Sequence, residues 1–296
     1  MISPAITMKG IAFAPGHISA FFEPKYNASS LDRTGSRGAG INLSLGAISR
    51  VRISPAPHLT CAVRINGQPS DAPVTKVALQ YLLDDAPFKV LVETTLDLPE
   101  SQGFGMSGSG ALSATLAASD VLGYSREQAV RAAHYAEVQS HTGLGDVVAS
   151  SFGGIEIRRE PGLPPWGVLE HIPGNFEVVL CVIGKTIRTE KILTDKTKLV
   201  QIASSGRYCT KKLLEQPSLG GLFSLGWEFT RKIGLAERQV LQAIEAAHQF
   251  GMASMCMLGN SVFAVGNTPL LQKTLAPFGQ VWVCGIDQIG ARLVKE

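Results

Sequence analysis

Pro99-Glu100-Ser101-Gln102-Gly103-Phe104-Gly105-Met106-Ser107-Gly108-Ser109-Gly110-Ala111 packs four glycines and three serines between a strand pattern and a helix pattern. Such a loop leaves several backbone N–H groups unobstructed. It feeds them into a helix N-terminus, where the dipole favours anions. That is a cradle for phosphate, and the serine hydroxyls add neutral ligands suited to magnesium.

Two better-known phosphate loops fail on context. Gly103-x-Gly105-x-x-Gly108 fits the dinucleotide fingerprint as a bare pattern. A Rossmann unit, however, places a strand ending in an acid directly after the first helix, and here a second helix pattern follows. A Walker A loop needs Lys-Ser or Lys-Thr after its last glycine, and none is present. A ligand-free Gly/Ser surface loop stays open on local grounds.

Upstream, Gly10–Ala14 and Ile18–Phe22 read as two strands broken at Pro15-Gly16, and Val51–Ile53, Cys61–Ile65 and Phe88–Thr94 as further strands. Asn66-Gly67 predicts a hairpin turn. Downstream, Ser109–Leu122 predicts a helix stopped by Gly123, and Arg126–Ser140 a second one with Ser125 and Gln128 as a capping box. Gly153–Arg158 returns to strand, and Pro161–Pro165 reads as a linker or surface loop. Phe176–Ile183 reads as a buried strand, Ala236–Phe250 as a helix ended by Gly251, and Met255–Leu258 and Ser261–Val265 as strands joined by Gly259-Asn260. Thr268-Pro269 opens a last helix with a cap and a proline, and Val281–Cys284 a last strand. The order fits a split-βαβ, ferredoxin-like layer.

The 296 residues are 45% hydrophobic, enough for a full core in one large domain or two lobes sharing a cleft. A net charge of +3 with scattered Lys and Arg lacks the electrostatic footprint of a nucleic-acid binder. The five dispersed cysteines form no CxxC pair, which argues against structural zinc and for reduced thiols in a cytoplasmic protein. No signal-peptide pattern opens the chain, and no apolar run is long enough to span a bilayer. A monomer and a homodimer are equally compatible with this composition.

Three segments carry a family resemblance. The loop segment Pro99-x-x-x-Gly103-Phe104-Gly105-Met106-Ser107 resembles the second motif of the GHMP kinases (galactokinase, homoserine, mevalonate and phosphomevalonate kinases), with Met106 in place of the usual first serine. Ala14-Pro15-Gly16-His17 resembles the first motif, which usually ends in Lys or Arg. Leu258-Gly259-Asn260-Ser261-Val262-Phe263-Ala264-Val265 resembles the third. The resemblance implies an α+β GHMP kinase fold, with a ribosomal-S5-like N-terminal half (1–160) and a ferredoxin-like C-terminal half (161–296). It implies ATP over Pro99, Gly103, Gly105, Met106, Ser107, Gly108, Ser109 and Gly110. Ser107 becomes a catalytic and magnesium-binding serine, with Ser109 sharing that role as an alternative.

The phosphoryl acceptor needs a base and a pocket. Glu137 follows Val130 and Ala133 by seven and four residues, which sets it on an apolar helix face. A carboxylate there needs a cation such as Mg2+, unless it reaches solvent at the edge of that face. Asp146, in His141-Thr-Gly-Leu-Gly-Asp146, reads locally as a helix N-cap. By resemblance it is the catalytic residue that accepts the substrate proton or orients the hydroxyl. Gly35-Ser36-Arg37-Gly38-Ala39-Gly40 combines a guanidinium suited to a carboxylate with glycines that admit a ligand; a surface turn is the alternative. With Pro15-Gly16-His17-Ile18-Ser19 it resembles the archaeal pantoate kinases in particular. That implies ATP-dependent phosphorylation of the primary hydroxyl of pantoate to 4-phosphopantoate and ADP, on the archaeal route to coenzyme A. His17, Ser36, Arg37 and Gly38 are the implied substrate contacts, with Ile18 or Phe21 as an apolar wall. A homoserine- or mevalonate-type kinase, or a non-catalytic protein of the same fold, are the alternatives.

Overall fold

The computed structural model describes residues 7–187 and 189–295. In chain order they form β1 (Met8–Lys25), β2 (Gly35–Pro55), β3 (Thr60–Ile65), β4 (Gln68–Ser70), α1 (Pro73–Leu83), β5 (Phe88–Leu96), α2 (Met106–Leu122), α3 (Arg126–Gln139) and α4 (Asp146–Phe152). Then come β6 (Ile155–Glu160), β7 (Val168–Ile172), β8 (Val178–Val182), α5 (Thr189–Leu193), α6 (Lys196–Glu215), α7 (Leu219–Ile233) and α8 (Arg238–Ala247). Last are β9 (Gly251–Met255), β10 (Ser261–Gly266), α9 (Thr268–Leu275), β11 (Gln280–Cys284) and β12 (Arg292–Leu293).

The larger sheet runs β12-β1-β2-β5-β3-β4, with β6 pairing β2 and β7 pairing β6. Only β3 and β5 are parallel. Helices α1, α2 and α3 cover it with an apolar layer that includes Leu79, Leu83, Leu112 and Ala133. The smaller sheet runs β11-β8-β10-β9, all antiparallel, which is the expected ferredoxin-like order. The chain passes from one sheet to the other between Ile172 and Val178. It then returns: Asp287 N donates to Asn42 O, Ala291 N to Ser150 O, and β12 pairs with β1.

Several expected boundaries move. Pro15-Gly16 does not break β1. The register slips between Pro15 and His17 instead, and this bulge absorbs the proline and keeps the strand going. Residues 35–50, where glycine hid any strand pattern, belong to β2. There the glycines are contact points: a Cβ on Gly46 would run into Phe13 and the Ala14 carbonyl. Helix α2 starts three residues before Ser109, because the glycine-rich loop itself supplies the first turn. Met255–Leu258 is the end of β9 and a turn rather than a strand; Leu258 sits there at φ 65°. Helix α8 stops at Ala247, and Gly251 opens β9 rather than capping the helix. Asn267, not Thr268, caps α9. The Pro161–Pro165 segment turns between β6 and β7, held by Leu163 N donating to Asp32 O at 2.8 Å.

The Ser125 capping box forms as expected: Gln128 N donates to Ser125 Oγ (3.2 Å), and Ser125 N donates to Gln128 Oε1 (2.8 Å). Ser125→Ala should therefore lower the unfolding free energy by about 1 kcal/mol in urea titration and leave nucleotide affinity unchanged.

Candidate active site

The glycine-rich loop enters α2 through Gly105 at φ 63°, with no side-chain cap. The first three N–H groups of the helix, on Met106, Ser107 and Gly108, have no carbonyl partner within it. Gly105 is required twice over, by its positive φ and by its closeness to Asp146: a Cβ there would lie 3.3 Å from the Asp146 side chain. The loop is pinned on both sides. His17 N donates to Phe104 O (2.9 Å), Ser261 Oγ to Gln102 O (2.5 Å), and Gln102 Nε2 to Gly184 O (3.1 Å). Gly259 packs on the Gln102–Gly103 backbone so closely that any Cβ would overlap it.

A cavity of about 420 Å3 opens over this loop. Gly103, Gly105, Met106, Ser107 and Gly108 line one side, and Ser19, Phe22, Ser36, Leu144, Gly145, Leu193 and Met257 the other, with Asp146 between. The Met106 side chain is buried, its sulphur over Gly16, so the departure from the usual serine leaves the backbone N–H in place. Ser109 does not face the cavity. It is fully buried, and its hydroxyl donates to Pro15 O at 2.7 Å, so of Ser107 and Ser109 only Ser107 lines the cavity. Pro99 lies off the cavity, and Gly110 lines a smaller neighbouring hollow beside Thr75 and Thr94.

Glu137 projects from α3 into the protein beneath the loop and is 1% exposed. Its Oε1 accepts from Val147 N at 3.3 Å, and its Oε2 has no partner. Burial, then the nearby Asp146 carboxylate, hold Glu137 well above the usual carboxylate range. Both carboxylates converge on Gly143, where a Cβ would meet Glu137 Oε1 at 2.6 Å and Asp146 Oδ2 at 2.8 Å. Two converging carboxylates with an unpartnered oxygen make a place that a cation would stabilise. Asp146 is the first residue of α4, after Gly145, so it is not the cap. Its side chain is one-quarter exposed.

His17 is placed differently from its expected role as a substrate contact. The ring is fully buried; Nδ1 lies 2.7 Å from Asp146 Oδ1 and Nε2 2.9 Å from Glu156 Oε1. Facing a carboxylate on each side, with Arg158 Nη1 also 3.2 Å from Nε2, the ring is placed to donate from both nitrogens, which favours the imidazolium. Burial alone would lower its pKa; Glu156 and Asp146 outweigh that and lift it to about 9. With both donors spent, His17 has none for a ligand.

Arg37 also departs from expectation. On β2 it points away from the cavity, donating Nε–H to Arg159 O (2.8 Å), with Nη1 3.6 Å from Glu23 Oε2. Neighbouring Ser36 does line the cavity, as strand alternation requires. Gly38 and Gly40 do not admit a ligand. They make room for buried side chains: a Cβ on Gly38 would crowd Arg158 Nη2, and one on Gly40 would crowd His17 and Glu156. Ile18 and Phe21 are wholly in the core, and Phe22 takes the expected place in the wall.

Arg158, to which the sequence assigned no site role, lies beside the lining residue Gly145 rather than on the cavity surface itself. It is 2% exposed; Nη1 pairs with Glu156 Oε1, and Nη2 donates to Ser19 Oγ at 2.9 Å. Its Nε has no acceptor and lies beside Gly145, a lining residue, where a Cβ would meet it at 2.9 Å. The signal lay in Ile155-Glu156-Ile157-Arg158, a strand with charges at alternate positions, all four buried. In the sequence pattern Arg158 only closes the Gly153–Arg158 strand.

The described residues include no helix long and apolar enough to cross a membrane. Residues 73–154 match the GHMP kinases N terminal domain, the span that holds the loop, Glu137 and Asp146. The chain is 33% identical over 264 residues to a pantoate kinase from Thermococcus kodakarensis, covering 86% of each protein. A pantoate kinase from Methanocaldococcus jannaschii is 30% identical over 93% of this chain and 99% of its own. A solved structure described as a phosphotransferase related to the CoA biosynthesis pathway superposes with a TM-score of 0.86 at 30% identity, over 97% of this chain and 99% of that one. By fold, loop and this likeness over nearly its whole length, the chain belongs to the pantoate kinases of the GHMP kinase family.

Proposed function

We propose that this enzyme transfers the γ-phosphoryl group of ATP to the primary hydroxyl of pantoate, giving 4-phosphopantoate and ADP. The observation that carries the substrate side is the Arg158 guanidinium, buried directly behind the lining residue Gly145 with an unpartnered Nε. A buried donor without an acceptor calls for an anionic ligand group, and the pantoate carboxylate is one. Ser19 and Ser36 flank it with hydroxyls for the 2-hydroxyl group, and Phe22, Leu144, Leu193 and Met257 supply apolar surface for the gem-dimethyl group.

On the donor side, the free N–H groups of Met106, Ser107 and Gly108 receive the phosphates at the α2 N-terminus. Ser107 and Glu137 would hold Mg2+, which neutralises charge on the phosphate oxygens when bound. Among the described residues no three His, Cys, Asp or Glu side chains group as a complete metal site, so that ion would draw its other ligands from phosphate and water. Asp146 Oδ1 is taken by His17, and Oδ2 is left to accept the hydroxyl proton. The alkoxide oxygen then bonds to the γ-phosphorus as the bond to the bridging oxygen of ADP breaks, and the proton stays on Asp146. We place the reaction in the cytoplasm, on the route to coenzyme A, with no nucleic-acid partner; a homodimer belongs to the same reading.

A substrate panel with ATP, read by ADP release, tests this. Pantoate should be turned over well, and homoserine and mevalonate poorly; turnover of homoserine without pantoate would overturn the substrate while leaving a kinase. Asp146→Asn should cut kcat by about a hundredfold or more with ATP binding nearly intact, the range for a lost positioned base. Glu137→Gln should raise the magnesium concentration needed for half-maximal rate.

The two arginines separate the carboxylate site. Arg158→Lys should raise the pantoate KM about tenfold or more, because an ammonium cannot reproduce the guanidinium's fixed donors. Arg37→Ala should leave that KM nearly unchanged. The opposite order would return the carboxylate to Arg37.

A further inference from the structure

Glu156 lies on β6 and is not among the residues that line the cavity. It is fully buried and accepts from three sides: His17 Nε2 at 2.9 Å, Arg158 Nη1, and Asn42 Nδ2 at 3.4 Å. The groups facing His17 are therefore Asp146 from α4, Glu156 and Arg158 from β6, and the carboxylate of Glu137 from α3 at longer range.

This arrangement divides labour between the two carboxylates that hold the ring. Asp146 is at the cavity, and during turnover its charge is cancelled when it takes the substrate proton. If it were the sole counter-ion, the ring would lose its partner at that moment. Glu156 never meets the substrate and stays an acceptor throughout. With the ring doubly protonated, Nδ1–H remains directed at Asp146 Oδ1, so that oxygen cannot take a proton. Only Oδ2, on the cavity side, is left.

We propose that Glu156 is a positioning residue: by keeping His17 an imidazolium it confines proton acceptance to Oδ2 of Asp146 and sets the alkaline limit of turnover. The inference rests on the reading of Asp146 as the proton acceptor. His17 loses its charge as pH rises through about 9 in the parent enzyme. Removing one of its two carboxylate partners moves that loss toward neutrality.

The test joins a spectroscopic titration to kinetics. In the substrate-free parent enzyme, imidazole NMR should show His17 protonated through neutrality, with a midpoint about 9. In Glu156→Gln the midpoint should fall by about one unit or more, as expected for loss of an adjacent charge. The alkaline limb of kcat should fall with it, while the KM for ATP stays put. Glu156→Asp should restore part of both. His17→Lys, with a charge that persists beyond pH 9, should remove the limb. An unchanged His17 midpoint in Glu156→Gln overturns the inference. If that variant does not fold, a parent midpoint below 7, or a parental alkaline limb in His17→Lys, overturns it equally. Near-parental turnover in Asp146→Asn would instead sink the assignment of Asp146, and the NMR titration would still read the effect of Glu156.

Discussion

Burying ionised groups together is the constraint around which the rest of this structure is arranged. His17, Arg158, Glu156 and Glu137 are all within 2% of full burial, and Asp146 is three-quarters covered. Isolated, each charge would cost several kcal/mol to remove from water. Packed together, with hydrogen bonds fixing each orientation, they offset one another. Two cations stand against three carboxylates, one of them held toward protonation. Glu137, which has no ion-pair partner among the described residues, and Asp146 lie under the glycine-rich loop, so any negative charge the two cations leave unmatched sits there. The ground-state imbalance is thus located where the substrates would correct it.

Backbone geometry follows from the same need. The bulge in β1 at Pro15/His17 lies where the ring turns inward, and Gly38 and Gly40 in β2 leave the volume that the ring, Glu156 and Arg158 fill. The loop above is fixed by the His17 backbone and by β10. The glycine-rich loop and the residues proposed as base and carboxylate site thus share one set of rigid supports on strands and helix starts, rather than resting on mobile loops.

Much of the frame could be read from residues. The loop, the Ser125 box, the Gly123 stop and the strand–helix order of the smaller sheet all follow local rules of capping and periodicity. Glu137 was legible because a carboxylate on an apolar helix face is anomalous by itself. Glycine-rich strands were not legible: Gly35-Ser36-Arg37-Gly38-Ala39-Gly40 has the composition of a turn, and its true determinant is side chains arriving from β1 and β6. For the same reason nothing local showed that Arg37 turns toward Arg159 and Glu23 while Arg158 is buried beside Glu156. Strand alternation fixes which of Ser36 and Arg37 faces inward, but only once the strand itself is known. His17 read as a free donor because nothing local announces two carboxylates more than a hundred positions away. Helix α1 did carry a signal, Pro73 followed by apolar residues at helical spacing, beside the louder pattern of the loop.

The returning C-terminal segment has a consequence for how the molecule is made. Asn42, which holds Glu156, has its own carbonyl bonded to Asp287 N, and Gly154 N, just before β6, is bonded to Asp287 O. Ser150, on the helix that carries Asp146, accepts at its carbonyl from Ala291 N. During synthesis the larger sheet and its helices leave the ribosome long before these partners exist. Contacts this distant in sequence close late, after the local ones have formed. A nascent chain can therefore hold a nearly complete sheet while the backbone behind its buried charges is still open to water, until the segment around Asp287 and Ala291 has been made and has packed back.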